Sequence, residues 1–308
     1  MIFETDVLRQ IEEAIERGDK EFFLQRLSPK KRAIKKGPFS SALMVSAHKA
    51  RHLNKLDELD ADAAIINLED GVAPKFKEIA LLAAALFIQE APESSPLLVV
   101  RVNPLGQGGE EEIAFLNRFF PDAIRIPKIR NRSDLTKASL LIDEPIALHA
   151  SIETKEAFLE LPNLKVERLD AFYLGILDLL ADLALPQRIL KIKNPVIDHI
   201  LAKFLVQSSA IGVWPVSFVY QDYKNLEEFE EWCRYEWDMG FGAKGCISPD
   251  QVTIVNRILK SADIQRALYI KRRFEEMAAK GITGFADEKY GFIDEPVYKD
   301  ALNILKER

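Results

Sequence analysis

Short apolar runs alternate with helical segments along this chain, and that rhythm constrains the fold more than any other feature. The runs predicted as strands cover residues 41–47, 62–70, 97–103, 122–129, 146–154, 170–178, 209–217 and 244–250. Their near-continuous apolar character is typical of strands that are covered on both faces. Strands that alternate with helices indicate parallel pairing through right-handed crossovers.

The segments between the strands have helical periodicity, most clearly at residues 49–59, 75–91, 110–120, 190–207 and 226–240. Eight strand-and-helix units predict a closed (β/α)8 TIM barrel, an α/β fold. An open doubly wound sheet is the alternative. No glycine-rich dinucleotide fingerprint opens the first helix, which favours the barrel.

Composition and charge narrow the class of protein further. The formal net charge of −6 argues against nucleic acid or an anionic membrane as the main partner. No apolar run approaches the ~20 residues that a membrane span requires. The charged N-terminal stretch lacks the apolar core of a secretory signal, and Cys233 and Cys246 match no metal spacing. We therefore expect a cytoplasmic globular protein with no nucleic-acid or membrane partner.

Charged and polar side chains recur at the C-terminal ends of five successive predicted strands. They are, in chain order, Glu69 and Asp70, Arg101 and Asn103, Lys128, Glu153, and Asp178. The C-terminal ends of barrel strands meet around one mouth, where barrel enzymes carry their active sites. The pattern predicts one site there, although Asp70-Gly71 taken alone also suits a solvated turn.

Glu153 and Asp178 end neighbouring predicted strands, which lie ~4.8 Å apart in a parallel sheet. Two carboxylates so placed share a proton or bind a cation. Oxygen ligands without His or Cys favour Mg²⁺ over Zn²⁺. Arg101 would suit a carboxylate or a developing oxyanion. The spacing alone leaves a second interpretation open, a network of ion pairs between Arg101, Lys128 and the acids.

Seven motifs, in order and at consistent spacing, resemble the citrate lyase beta-subunit-like family of Mg²⁺-dependent 2-oxo acid aldolases. They are INLEDGVAPKFKEIA, VRVNPLG, IRIPKI with SDL close behind, SIETKEAF, YLGILDLLADL, GFGAKGCISPDQVTIVN and GFIDEPVYKDALNIL. Members of that family include citryl-CoA, malyl-CoA and citramalyl-CoA lyases. The resemblance covers roughly residues 41–306.

The resemblance implies a magnesium cofactor held by Glu153 and Asp178. It also implies that Glu69 and Asp70 stand in the outer shell of the metal, and that Arg101 binds the substrate carboxylate and oxyanion. Asn103 and Lys128 complete the expected substrate-binding set.

A further implied residue is Asp294 in the GFIDEP motif. In related lyases this acid reaches a neighbouring subunit's site from a C-terminal lid and handles the proton on the acyl-CoA carbon. The protein would then be a homo-oligomer, a trimer or a hexamer. The expected domains are an N-terminal helical and basic extension over residues 1–36, the barrel over 37–263 and a C-terminal helical lid over 264–308.

The function implied is a Mg²⁺-dependent carbon–carbon lyase that cleaves a 3-hydroxyacyl-CoA to a 2-oxo acid and acetyl-CoA. Citryl-, malyl- and citramalyl-CoA are the candidate substrates. Two alternatives are an acyl-CoA thioester hydrolase that uses the same site, and a non-catalytic binding or assembly subunit.

Two segments depart from the family pattern. The first strand lacks the usual Arg-Ser pair in a region that helps hold CoA in relatives, and Asn67 replaces the usual aspartate of the family's LDLED phrase in strand two. The basic run PKKRAIKK precedes the barrel. It has three interpretations: replacement contacts for the CoA phosphates, a docking arm, or a solvated linker.

Overall fold

Eight parallel strands close into a barrel in a computed structural model that describes residues 1–58, 60–259 and 263–306. The strands are β1 Ser41–Ser46, β2 Ala63–Asn67, β3 Leu97–Arg101, β4 Ala123–Ile126, β5 Ala147–Ile152, β6 Leu169–Leu174, β7 Trp214–Ser217 and β8 Ala243–Cys246. Each pairs with the next, and β8 pairs with β1, so the sheet has no edge. The predicted TIM barrel is confirmed, and the open sheet is excluded.

Helices surround the barrel and extend it at both ends. They are α1 Thr5–Arg17, α2 Lys20–Leu24, α3 Ala50–Leu53, α4 Lys77–Glu90, α5 Gly109–Leu116, α6 Arg132–Leu141, α7 Lys155–Glu160, α8 Ile176–Asp182, α9 Pro195–Ala210, α10 Leu226–Met239, α11 Pro249–Leu259, α12 Asp263–Ala278 and α13 Glu295–Lys306. The helix predicted over 49–59 is shorter in the structure and corresponds to α3. Residue 59, the last residue of the predicted helix, lies outside the described residues. Among the helices described here, none is both long and apolar enough to cross a bilayer.

Alternation along the strands divides the barrel residues into two cores. Outward-facing residues pack with the helices in one large apolar cluster. Inward-facing residues form a second cluster in which small side chains dominate; its alanines are Ala42, Ala63, Ala123, Ala147, Ala171 and Ala243. Phe39, which precedes β1, joins this inner cluster and fills space that the alanines leave.

The N-terminal extension packs on the barrel, and its basic run closes the end opposite the mouth. The Arg32 guanidinium lies 3.1 Å from Asp122, and the Lys35 backbone N–H donates to the same carboxylate at 2.7 Å. Asp122 immediately precedes β4, so these contacts lie where the strands begin. The basic run therefore lies away from the mouth, and contacts from Arg32 and Lys35 tie it to the barrel instead of leaving it a solvated linker.

The C-terminal segment contains a hairpin as well as the expected helices. Strands β9 Gly284–Asp287 and β10 Gly291–Asp294 pair antiparallel between α12 and α13. The Asp287 carboxylate accepts hydrogen bonds from the backbone of Lys289 and Tyr290, which forms the turn. The segment has its own apolar core, made of Ala267, Ile270, Phe274, Phe285, Ile293 and Ala301.

A fully buried ion pair ties α10 to β8. The Lys244 ammonium lies 2.8 Å from both carboxylate oxygens of Glu236, and it also lies 4.1 Å from the centre of the Phe218 ring. Removing one partner of a buried pair leaves the other charge without compensation, which costs more than the pair contributes.

We expect Lys244→Met to lower the free energy of unfolding by about 3–5 kcal/mol, because Glu236 would remain buried and charged. The matched control is Arg234→Met on α10, the helix that carries Glu236. This change removes an exposed ion pair between Arg234 and Glu230. That change should cost less than about 1 kcal/mol. Urea denaturation of both variants measures their free energies of unfolding. Equal losses would show that the buried pair stabilises the fold no more than the exposed pair does.

Candidate active site

A cavity of about 320 Å³ opens where the barrel strands end. The charged side chains in its lining are Asp70, Arg101, Arg125, Glu153 and Asp178. A neighbouring cavity of about 610 Å³ shares Glu153 and Asp178 with it and is also lined by Lys128. The structure therefore brings most of the sequence-predicted site residues to the mouth. They lie on the loops that follow β2, β4 and β5, at the end of β3, and in the helix that follows β6.

The two adjacent acids after β2 have different environments. Glu69 is buried, with its carboxylate 3.0 Å from Arg101 Nη1 and 3.3 Å from Lys128 Nζ. Asp70 is exposed and lies 3.7 Å from the same lysine nitrogen. Burial lowers the pKa of Lys128, but the carboxylates of Glu69 and Asp70 outweigh it and leave that pKa raised. One of the two negative charges is thus paired inside the barrel, and the other faces solvent.

Asn67 positions both Arg101 and the turn that carries the acids. Its amide oxygen accepts hydrogen bonds from Arg101 Nε at 2.7 Å and from the Glu69 backbone at 3.0 Å. Its amide nitrogen donates to the Asp70 carbonyl. An aspartate could not make this last bond, because an ionised carboxylate only accepts. The departure from the family pattern at this position therefore has a structural function.

Glu153 lies one residue beyond β5 and is held by two backbone features. Its Oε1 accepts a 2.7 Å hydrogen bond from the backbone N–H of Lys128, whose φ of +52° orients that N–H. A side chain at Gly175 would place its Cβ 2.6 Å from both Cβ and Oε2 of Glu153, so glycine is required for this packing. Burial raises the pKa of Glu153, and the Arg125 guanidinium partly opposes that effect.

The sequence pattern predicted that Asp178 ends a strand, and the structure shows that it does not. Strand β6 stops at Leu174, and Asp178 lies in the first turn of α8. Its exposed carboxylate makes no hydrogen bond or salt bridge to any residue that the structure describes, and it lines both mouth cavities together with Glu153. The two acids therefore face the same space, although a turn and not strand pairing brings Asp178 there.

The donor atoms suit magnesium. Glu153 commits one oxygen to a hydrogen bond, and Asp178 commits neither. Over the described ranges, no group of three or more His, Cys, Asp or Glu side chains is placed to share a metal ion. A two-carboxylate site matches Mg²⁺, which usually takes one or two protein carboxylates and completes its octahedron with water or substrate. A cation here would also offset the cost of burying the Glu153 charge.

Asn103 makes structural contacts with the surrounding chain, and its predicted substrate-binding role stays a prediction. Its amide nitrogen donates to Glu112 and, at 3.3 Å, to the Leu68 carbonyl. Its amide oxygen accepts from Lys77 at 2.7 Å. It lies two residues beyond the last residue of β3, where the chain has left the strand, and it is absent from the lining of both mouth cavities.

Asp294 is the last residue of β10 and caps α13. Its Oδ1 accepts a hydrogen bond from the Val297 backbone at 3.2 Å. It does not line the mouth cavities of its own chain. A contribution to a neighbouring subunit's site therefore stays a prediction.

Arg125 is a residue of the mouth that the sequence pattern did not bring out. It lies on β4 between two isoleucines, in a strand read as covered on both faces by apolar groups. Period-two alternation puts Arg125 on the same face as Ala123, which lies in the inner cluster. The signal in the sequence is the charge itself, an arginine within an otherwise apolar strand.

The fold and the mouth together define a class, an α/β-barrel protein with an acidic and basic site at the C-terminal ends of its strands. The model of the HpcH/HpaI aldolase/citrate lyase family matches residues 40–249, and the chain belongs to this family.

Relatives with named activities in this family are enzymes. A (3S)-malyl-CoA thioesterase of Cereibacter sphaeroides is 30% identical over 251 residues, which cover 79% of this chain and 86% of the relative. The mitochondrial citramalyl-CoA lyase of Mus musculus is 25% identical, over 87% of this chain and 85% of its own. The solved structure of CitE from Mycobacterium tuberculosis with magnesium, acetoacetate and coenzyme A has a TM-score of 0.67 at 22% identity, covering 88% of this chain and 98% of the other.

We expect Gly175→Ala to weaken Mg²⁺ binding at least tenfold, because the added methyl group would displace the Glu153 carboxylate. The φ of Gly175 is −89°, so alanine brings no backbone strain of its own. Isothermal titration calorimetry with MgCl₂ measures the effect.

The matched control is Gly242→Ala, where the added Cβ would meet the Trp214 ring at 2.9 Å, at the start of β8. This variant should lose stability and keep its Mg²⁺ affinity. Equal Mg²⁺ affinities for Gly175→Ala and the wild type would contradict the role of Glu153 as a ligand.

Proposed function

We propose that the protein is a Mg²⁺-dependent carbon–carbon lyase that cleaves a 3-hydroxyacyl-CoA to a 2-oxo acid and acetyl-CoA. The observation that carries the proposal is the meeting of Glu153, Asp178 and Arg101 in one cavity at the barrel mouth. The relatives support it, since one of them is a citramalyl-CoA lyase and a solved neighbour holds magnesium and coenzyme A.

Glu153 and Asp178 would hold the metal, and Glu69 and Asp70 would accept hydrogen bonds from its water ligands. When bound, Mg²⁺ supplies Lewis-acid polarisation of the keto oxygen and a fixed orientation for the 2-oxo acid.

Arg101 would stabilise the negative charge that develops on the substrate oxygens. Its Nε and Nη1 are committed to Asn67 and Glu69, which leaves Nη2 without a partner among the described residues. A guanidinium fixed by two neighbours costs little reorganisation when charge develops. Lys128 adds a second cation at the rim of the site.

In cleavage, the 3-hydroxyl group would lose its proton to water in the solvent-open cavity, and its oxygen would become the carbonyl oxygen of the 2-oxo acid. The bond between C2 and C3 breaks, and its electron pair remains on the acyl-CoA fragment as a thioester enolate. Asp294 of a neighbouring subunit would then protonate that carbon to give acetyl-CoA. Phe292, 63% exposed beside Asp294, is the kind of surface that a second subunit would cover.

A thioester hydrolase is the second candidate, and the (3S)-malyl-CoA thioesterase relative favours it. Asp294 would then activate a water molecule for attack on the thioester carbonyl. A non-catalytic subunit has less support, because four of the expected site residues, Asp70, Arg101, Glu153 and Asp178, line one cavity.

Product analysis separates these functions. We expect the protein with Mg²⁺ to convert malyl-, citramalyl- or citryl-CoA to acetyl-CoA and glyoxylate, pyruvate or oxaloacetate, as measured by liquid chromatography and mass spectrometry. Glu153→Gln should lose both Mg²⁺ binding and turnover, since it removes one ligand charge. Free CoA with an intact hydroxy acid would identify a hydrolase, and no turnover of any of these thioesters would contradict an enzymatic role for the site.

The role of Asp294 is tested by Asp294→Asn, which keeps the helix cap because asparagine caps as well as aspartate. We expect turnover to fall at least a hundredfold, with Mg²⁺ binding and the melting temperature unchanged. Because the site would combine Asp294 of one subunit with Glu153 of another, mixing the inactive Asp294→Asn and Glu153→Gln chains should restore part of the activity. An active Asp294→Asn variant would refute the lid role, and failure of mixed oligomers to recover activity would refute its action between subunits.

A further inference from the structure

Two buried arginines lie side by side inside the barrel. Arg101 on β3 and Arg125 on β4 are direct partners in the strand register, and neighbouring strands are ~4.8 Å apart. Both line the mouth cavity, and Arg125 is only 4% exposed. Burial lowers the pKa of Arg125 to about 10, and the neighbouring Arg101 charge adds to that effect. Both effects favour a negative charge beside the pair.

Arg101 has a salt-bridge partner, whereas Arg125 is influenced by the Glu153 carboxylate only through space, without a salt bridge to any described residue. Glu69 lies 3.0 Å from Arg101. Arg125 forms no salt bridge within the described part of the chain; its Nε donates to Ser151 Oγ at 3.0 Å. Its guanidinium lies 4.1 Å from the centre of the Tyr173 ring, which holds the group without neutralising it.

The support beneath Arg125 is itself fixed. The Tyr173 hydroxyl is hydrogen-bonded to His149 Nδ1 at 3.1 Å, and both rings are buried. These neutral partners orient the guanidinium and leave its two terminal nitrogens without hydrogen bonds to described residues. A buried, oriented guanidinium that has no salt-bridge partner among the described residues gains from a bound anion, and its two terminal nitrogens suit a bidentate carboxylate.

The position of Arg125 separates its anion from the metal. Its partner Ser151 comes two residues before Glu153 in the chain, which corresponds to roughly 6–7 Å along an extended strand. An anion on Arg125 therefore lies deeper in the barrel than a carboxylate chelated with the ion at Glu153 and Asp178.

We propose that Arg125 is a specificity-determining residue that binds a second carboxylate of the substrate, so that the site prefers 2-oxo acids with two carboxylates over pyruvate and glyoxylate. This inference rests on the proposed function and narrows its substrate class. It adds a residue to the set that the family resemblance implies.

Calorimetric titration with fresh oxaloacetate and with pyruvate, each in saturating Mg²⁺, tests the preference. Wild-type protein should bind oxaloacetate at least tenfold more tightly than pyruvate. Arg125→Met should lose at least tenfold in oxaloacetate affinity, about 1.4 kcal/mol, and less than twofold for pyruvate. Arg125→Lys keeps the positive charge but lacks the two parallel N–H donors of a guanidinium. Its oxaloacetate affinity should lie between those of the wild type and Arg125→Met.

A second variant guards against a folding defect in the first. Ser151→Ala keeps the Arg125 charge and removes the group that orients it, so oxaloacetate affinity should fall threefold to tenfold at an unchanged melting temperature. Equal binding of the two acids by the wild type, or equal losses for both acids in Arg125→Met, would overturn this inference and leave the lyase proposal standing. Binding of neither acid would overturn both.

Discussion

The Glu153 carboxylate depends on backbone geometry in two neighbouring loops, and the rest of the site is arranged around it. The left-handed conformation of Lys128 directs a backbone N–H to one oxygen, and the missing side chain of Gly175 leaves room for the other. A carboxylate that is buried and held in this way retains an unfavourable charge. Under the proposed function, a divalent cation would relieve that cost, and Asp178 across the same cavity would supply the second ligand.

Charge pairing explains why the mouth contains so many ionisable groups at once. Glu69 is matched by Arg101 and Lys128, so the outer acids do not simply add to the negative charge at Glu153 and Asp178. Two interpretations of the sequence, an ion-pair network and a metal site, therefore both find support in different residues. The ion pairs hold Arg101 and the turn of Asn67. Glu153 and Asp178 form no salt bridge with any residue that the structure describes, so they would be available to hold an ion.

Much of the fold could be predicted because a buried parallel strand has a plain apolar pattern, and β8 pairs with β1 as eight such strands require. The site was harder to predict, because strand periodicity ends where the loops begin. Asn103 fits the alternation of β3 in the sequence, but its side chain is hydrogen-bonded to Glu112. Asp178 reaches the mouth from α8 and not from a strand. Arg125 was missed for the opposite reason, since two flanking isoleucines concealed an inward-facing charge. The β9–β10 hairpin depends on the Asp287 turn, a local signal that helical periodicity on either side obscured.

The most direct test of the account is a high-resolution crystal structure grown in saturating Mg²⁺. The account predicts one octahedral ion with oxygen atoms of Glu153 and Asp178 at about 2.0–2.1 Å and water at its remaining positions. It would be contradicted by electron density that shows the two carboxylates turned away from each other, with no ion between them.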